Sequence, residues 1–178
     1  MLLQISTIIE KPINSMETRI RAGIVKNIVV NPQNGQLMAL VVRAGFPTKQ
    51  KILPIQDILS VGPGMVIIRD DSAIVEPDEI VRVNEILKQK IKIMGGSVRT
   101  QSGTRLGKVY DVLIDTQTAV IAKYYVRASM TGLTQADRII PANKVVAITR
   151  EAIVVRDDFE KVAAVEEVEK VEAEPAGV

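Results

Sequence analysis

The chain has no cysteine, no histidine and no tryptophan, and aromatic residues make up 3% of its 178 positions. Without cysteine there can be no disulfide and no thiolate metal site. With histidine missing too, the usual nucleophile–base pairs and the nitrogen and sulfur ligands of zinc sites are unavailable. An enzyme built on this sequence would have to work with carboxylates, lysines or hydroxyls. The few aromatics, Phe46, Tyr110, Tyr124 and Tyr125 among them, do not recur as the stacking platform that single-stranded nucleic acid requires. No run of 18 apolar residues exists, so no membrane-spanning helix is expected. Residues Met1 to Ile9 lack a basic region ahead of their apolar positions and end at Glu10-Lys11-Pro12, which does not read as a secretory signal.

What the chain does contain is a duplication, the feature that decides architecture before any other. The stretch Leu106-Gly107-Lys108-Val109-Tyr110-Asp111-Val112-Leu113-Ile114-Asp115 repeats the pattern of Ala22-Gly23-Ile24-Val25-Lys26-Asn27-Ile28-Val29-Val30-Asn31. Residues 22–43 align without a gap to 106–127, pairing Gly23 with Gly107, Val25 with Val109, Gln33 with Gln117, Val42 with Val126 and Arg43 with Arg127. After a loop three residues longer in the second copy, 53–71 align with 140–158, pairing Pro54 with Pro141 and Arg69-Asp70-Asp71 with Arg156-Asp157-Asp158. Differing positions mostly stay apolar against apolar, so the two copies share a core pattern. A unit of this size buries only about 60% of its unfolded surface. The copies are therefore expected to pack together or to be stapled by what joins them.

Within each unit the pattern is that of strands. Residues 7–13 read as a first strand, turned by Asn14-Ser15-Met16-Glu17 and matched by Gly96-Ser97-Val98-Arg99-Thr100. The next strand breaks alternation at Lys26-Asn27 and at Tyr110-Asp111, which predicts a β-bulge of the kind that curves a strand around a small barrel. Asn31-Pro32-Gln33-Asn34-Gly35-Gln36 predicts a hairpin turn, since Asn-Gly supplies positive φ. In the strand after it, Met38, Leu40 and Val42 (Ala122, Tyr124 and Val126 in the second copy) are expected to point inward, and Ala39, Val41 and Arg43 (Lys123, Tyr125 and Arg127) outward. Lys51 to Pro54 and Arg138 to Pro141 read as short edge strands, since proline cannot donate to a central ladder. A closing hairpin completes each copy.

Between the units, residues 77–92 form a linker. Pro77-Asp78-Glu79 at the start, lysines at the end and apolar residues at 80, 83, 86 and 87 predict a short amphipathic helix stapling one barrel to the other. Beyond residue 158, Phe159, Val162, Val165, Val168 and Val171 stand three apart. A step of three turns a helix by about 300°, so this stripe drifts and makes no long seam. With its many glutamates, segment 159–178 is expected to be a flexible or weakly helical acidic tail. Residues 157–178 carry eight acids and two lysines, which leaves +8 on residues 1–156 of the net +2.

The run of Gly-x-Val-x-Asp/Asn-Val/Ile-x-Val/Ile-Asp/Asn, a hairpin, an apolar strand ending in Val-Arg, Leu/Ile-Pro and a closing strand ending in Arg-Asp-Asp resembles the PRC-barrel family in both copies. The resemblance implies an all-β fold: two tandem small β-barrels, 1–76 and 93–158, joined by the short helical linker and followed by the acidic tail. It also implies docking onto other proteins, without shared catalytic residues. The chain lacks the membrane helix of the photosynthetic reaction-centre H subunit and the preceding RNA-associated domain of RimM-type ribosome-maturation factors, two relatives the resemblance brings in.

Four constellations bear on function. Asp70-Asp71 and Asp157-Asp158 have oxygens suited to a hard cation, but neighbouring strand residues point to opposite faces, so the expectation is solvated carboxylates salt-bridged to Arg69 and Arg156. Gly103-Thr104-Arg105-Leu106-Gly107-Lys108-Val109 fails as a phosphate loop: its spacing is one short, Val109 replaces the hydroxyl, and a strand comes next where a helix is needed. Lys88, Lys90, Lys92, Arg99, Arg105 and Lys108 form a candidate basic patch for RNA. The outward positions Val41, Arg43, Tyr125 and Arg127 combine apolar bodies with guanidinium, the composition of interface cores. Two uses fit that face: packing one barrel against the other about a pseudo-twofold axis, or holding an external protein. The sequence thus points to a non-enzymatic protein-interaction module of the cytoplasm with no catalytic, metal or cofactor residues. The alternative is a ribosome- or RNA-associated maturation factor similar to RimM-type proteins.

Overall fold

A computed structural model of the chain describes residues 1–45, 49–62, 64–128 and 137–159. The expected acidic tail, beyond Phe159, lies outside them. Valine and isoleucine dominate the segments that become strands, as the pleated, half-buried surface of a sheet favours. The first sheet contains β2 (Pro12–Ser15), β3 (Arg21–Val30), β4 (Leu37–Ala44), β5 (Lys49–Pro54), β6 (Ile58–Gly62) and β7 (Met65–Ile68), in the order β5-β4-β3-β2-β7-β6. After helix α1 (Val81–Lys88), the second repeats it with β8 (Ser97–Thr100), β9 (Arg105–Asp115), β10 (Val120–Arg127), β11 (Arg138–Pro141), β12 (Val145–Ile148) and β13 (Ile153–Val155). In each sheet the two outermost strands are consecutive in the chain and joined by one 3-10 turn, Ile55–Asp57 or Ala142–Lys144. A sheet whose two edges lie one turn apart in the chain is rolled up, which gives the two barrels the duplication predicts.

The bulges stand where alternation breaks. Val25 pairs with Val42 but Asn27 with Val41, leaving Lys26 as the extra residue; Val109 pairs with Val126 but Asp111 with Tyr125, leaving Tyr110. The Oδ1 atoms of Asn27 and Asp111 each accept the next backbone N–H, at 2.8 Å in both copies. A second shift, unforeseen from the pattern, separates Val29–Ala39 from Val30–Leu37 and Ile121–Ile114 from Lys123–Leu113. It removes Met38 and Ala122 from the inward row and puts Leu37 and Ile121 there instead, 3% and 1% exposed. Leu40, Val42, Tyr124 and Val126 point inward as expected.

The predicted strand over 7–13 is shorter and later. Ile8 and Ile9 both donate their N–H to the Ile5 carbonyl, making a 3-10 turn, and the strand begins at Pro12. Such a turn stacks positions i and i+3 on one side, so Ile5 and Ile8 enter the same core, where a strand would have sent them to opposite faces. Ahead of this turn the chain reaches across to the other barrel. Strand β1 (Leu2–Gln4) pairs with Leu113–Asp115 of β9, so the start of the chain belongs to the second sheet. Ser6 fastens it further, donating from N and Oγ to the two carboxylate oxygens of Asp111 at 3.0 and 2.6 Å.

The barrels also meet at their long hairpins. Leu37 donates to the Ala119 carbonyl and Ile121 to the Gly35 carbonyl, at 2.7 and 3.1 Å. These pairs are equivalent under the duplication, and Gln36 bridges its own counterpart Val120. The local twofold relation therefore passes between the hairpin ends. One hydrophobic cluster runs through both barrels and includes Ile5 and Ile8.

Gly23 and Gly107 let these strands close up. A Cβ on Gly107, where φ is +140°, would lie 1.9 Å from the Arg127 carbonyl oxygen, whereas one on Gly23 would meet Val42 Cγ1 at 2.6 Å. Backbone does not yield as a methyl does. Gly107→Ala is therefore expected to cost about 3 kcal/mol or more, through overpacking and left-handed strain together, and Gly23→Ala about 1–2 kcal/mol. Urea unfolding of the two variants checks the order.

Candidate protein-docking face

The outer faces of the two barrels, alike in pattern, have different fates. In the first, Val75 pairs with Ile52 and leads the chain back over the sheet, and a capping box between Glu76 and Glu79 with Pro77 inside it starts the helical stretch. Helix α1 then lays Val83 and Ile86 on Val29, Ala39, Val41 and Ile52, a separate apolar cluster on the outer side of the sheet. Ile80 and Leu87 pack around it. The linker helix thus forms as predicted but roofs the first barrel; the connection between barrels is made by residues 1–8 and the hairpin ends.

In the second barrel the equivalent positions are Leu113, Lys123, Tyr125 and Ile139. Ile139 is 53% exposed and Leu113, Lys123 and Tyr125 are half-buried. The bulge that leaves Tyr110 unpaired brings its ring to 6.1 Å from that of Tyr125, and the Arg127 guanidinium lies 4.6 Å over the Tyr110 ring. Asp137 pairs with Arg127 at 3.8 Å and also acts on Tyr110. Partial removal from water, and then the Asp137 charge, push the Tyr110 phenol above its ordinary value. Tyr124 faces the opposite way, into the barrel, where burial raises its phenol far more.

Of the four outward residues singled out from sequence, Tyr125 and Arg127 therefore share an open face. Val41 is a correction: at 8% exposure it is covered by α1, and it does not pack barrel against barrel. Arg43 stays exposed at the strand end, beside Gly23 and Gly45 in a groove of about 280 Å³. Tyr110 and Ile139 complete the open face and were missed by strict alternation. The signal for Tyr110 was the bulge itself; for Ile139 it was equivalence to the buried Ile52. Of the basic patch, Arg99, Arg105 and Lys108 line one groove of about 500 Å³ together with Glu151. Lys88, Lys90 and Lys92 are exposed at the helix end and in the connector, outside that groove.

The model of the PRC-barrel domain family matches residues 2–75 and again 92–162. The chain belongs to the PRC-barrel family. A search of curated proteins finds no match. Both PRC-barrels end on the Arg-Asp-Asp motif, and there the acids take partners other than the arginines expected. Asp70 accepts from the Ser72 N–H at 2.8 Å and from its hydroxyl. Asp157 accepts from the N–H and hydroxyl of Ser102 at 3.1 and 2.7 Å, and Asp158 pairs with Lys144 at 3.2 Å. These bonds hold Asp70, Asp157 and Asp158 below the usual carboxylate value, the serine bonds leading for the first two and Lys144 for the third. Asp70 thus holds the turn that follows its PRC-barrel, while Asp157 ties the closing strand of the second to its first hairpin and Asp158 to the 3-10 turn Ala142–Lys144. Among the described residues, no group of three or more acids is gathered for a metal.

Two substitutions at equivalent positions of the PRC-barrel pair should behave differently. Val41→Asp buries an unpaired charge under α1 and is expected to cost several kcal/mol, whereas Tyr125→Asp is expected to change stability by under about 1 kcal/mol; chemical denaturation of both measures the contrast. Because the Asp157 carboxyl is depressed in the folded state, its contribution is present above the ordinary value of 3.8 and lost as pH falls through the lower folded one. The Tm gap between wild type and Asp157→Asn should accordingly be full near neutrality and close in acid.

Proposed function

We propose that this PRC-barrel pair is a non-enzymatic protein-interaction module of the cytoplasm, holding a protein partner on the outer face of its second barrel. The observation that carries the reading is the asymmetry of two equivalent faces: one is roofed by α1, the other leaves Tyr110, Tyr125, Arg127 and Ile139 at the surface. Tyrosine and arginine at the centre of a patch, with apolar neighbours, make the composition that dominates binding energy at protein interfaces. The stacked Tyr110, Tyr125 and Arg127 support one another's positions, so a partner meets a partly organised surface. Family membership agrees with a docking role and brings no catalytic residue with it.

A ribosome- or RNA-associated role, as in RimM-type proteins, is the second reading, and the Arg99, Arg105 and Lys108 groove favours it. The two differ in salt response, because phosphate contacts weaken steeply with salt and an apolar contact does not. The test captures partners from native extract with wild type, Ile139→Asp and Arg105→Glu, at low and high salt and with and without nuclease. A protein retained at high salt and after nuclease, and lost with Ile139→Asp at unchanged Tm, is the expected result. Retention that depends on salt, nuclease and Arg105 overturns it in favour of RNA, and a partner indifferent to Ile139 overturns the assigned face.

A further inference from the structure

We propose that the seam between the barrels is a small-molecule site, taking a neutral, largely apolar ligand that carries a hydrogen-bond acceptor for the Tyr124 hydroxyl. The site lies apart from the docking face, since Tyr124 and Tyr125 point to opposite sides of β10.

The pocket, of about 230 Å³, lies where the hairpin turn of the first barrel meets the start of β10 and the turn and strand that close the second barrel. Its wall is mostly aliphatic, with Val120, Ile121, Ala142 and Val145 around Tyr124. An apolar cavity of about 150 Å³ holds benzene, so this one admits a substituted ring. Among the described residues that line it none is charged, which selects a neutral ligand, because a charge would leave water without a counter-charge to meet it. The pocket shares Pro32, Gln33 and Val146 to Ile148 with a wider groove of about 570 Å³ that runs along Arg82, Glu85 and Gln89 of α1. That groove is the way in.

The deciding observation is the condition of Tyr124. It is 2% exposed, and among the described residues no group hydrogen-bonds to its phenol. Yet among those residues no fully enclosed polar side-chain atom goes without a partner. The hydroxyl is therefore at the small part of Tyr124 that open space reaches, and the pocket is the space that Tyr124 lines. Burial keeps the phenol protonated, so it meets a ligand as a donor.

The duplication supplies an internal comparison. Leu40 stands at the equivalent position of the first barrel and is fully buried in the same inward row. A leucine fills that place without adding a polar group to satisfy, so packing alone does not call for a hydroxyl at Tyr124. Aliphatic walls with a single well-placed polar group are the usual make-up of a ligand pocket.

The test uses acetophenone, a ring with one carbonyl acceptor, titrated into the full-length isotope-enriched chain and followed by NMR. Saturable amide shifts at Gly35, Ile121 and Ala147 are expected, with Arg43 and Arg127 unmoved. Tyr124→Phe should weaken the probe about tenfold, as loss of one hydrogen bond does, while its Tm stays at or above that of wild type because no protein partner is left behind. Ala147→Phe, which fills the pocket, should abolish binding. Absence of saturable shifts at millimolar probe overturns the proposal, as does equal affinity in wild type and Tyr124→Phe, or a probe indifferent to Ala147→Phe. A lower Tm for Tyr124→Phe overturns it as well, since the hydroxyl would then serve the fold. No protein partner enters this experiment, so its outcome and that of the capture stand independently.

Discussion

Each rolled sheet is small for an independent core, and the structure turns on how the two share one. A unit of some seventy residues buries a modest share of its surface against the entropy of ordering its chain, which leaves it marginal alone. Here the shortfall is met by merging: one apolar cluster runs from Ile13, Leu40 and Val66 in the first barrel to Val112, Tyr124 and Ile153 in the second, with Ile5 and Ile8 within it. Backbone pairing at the hairpin ends and along β1 satisfies the polar groups that this contact would otherwise bury. A cut anywhere along the seam would expose both cores.

The same duplication that makes the barrels alike leaves them unequal outside. The start of the chain closes the end of β9; the linker roofs the outer face of the first barrel. That is why Val41 is buried and its counterpart Tyr125 lies at the surface, although the strands around them pair almost identically. The sequence anticipates this inequality by putting Lys123 and Tyr125 where the covered face has Ala39 and Val41: side chains with a polar end tolerate water, and small apolar ones suit a packed roof.

The proposed docking role rests on the exposed half of that inequality. A sheet presenting two tyrosines and an arginine at its surface has the composition suited to recognition. Two carboxylates serve the fold directly, Asp111 holding Ser6 and Asp157 holding Ser102.

Local pattern determined much of this protein. Alternation, turn residues and the internal repeat located nearly every strand, the bulges at Lys26 and Tyr110, the edge prolines and the linker helix, because each depends on residues within a few positions of one another. The second bulge, which exchanges Met38 for Leu37, was not legible, since both residues are apolar and only the partner strand's register distinguishes them. The placement of β1 on the far barrel, the roofing of Val41 and the meeting of Tyr110, Tyr125, Arg127 and Ile139 were decided by tertiary structure alone. Those outcomes depend on which surfaces remain uncovered after the two cores have merged, a property of the whole chain that no window of sequence contains.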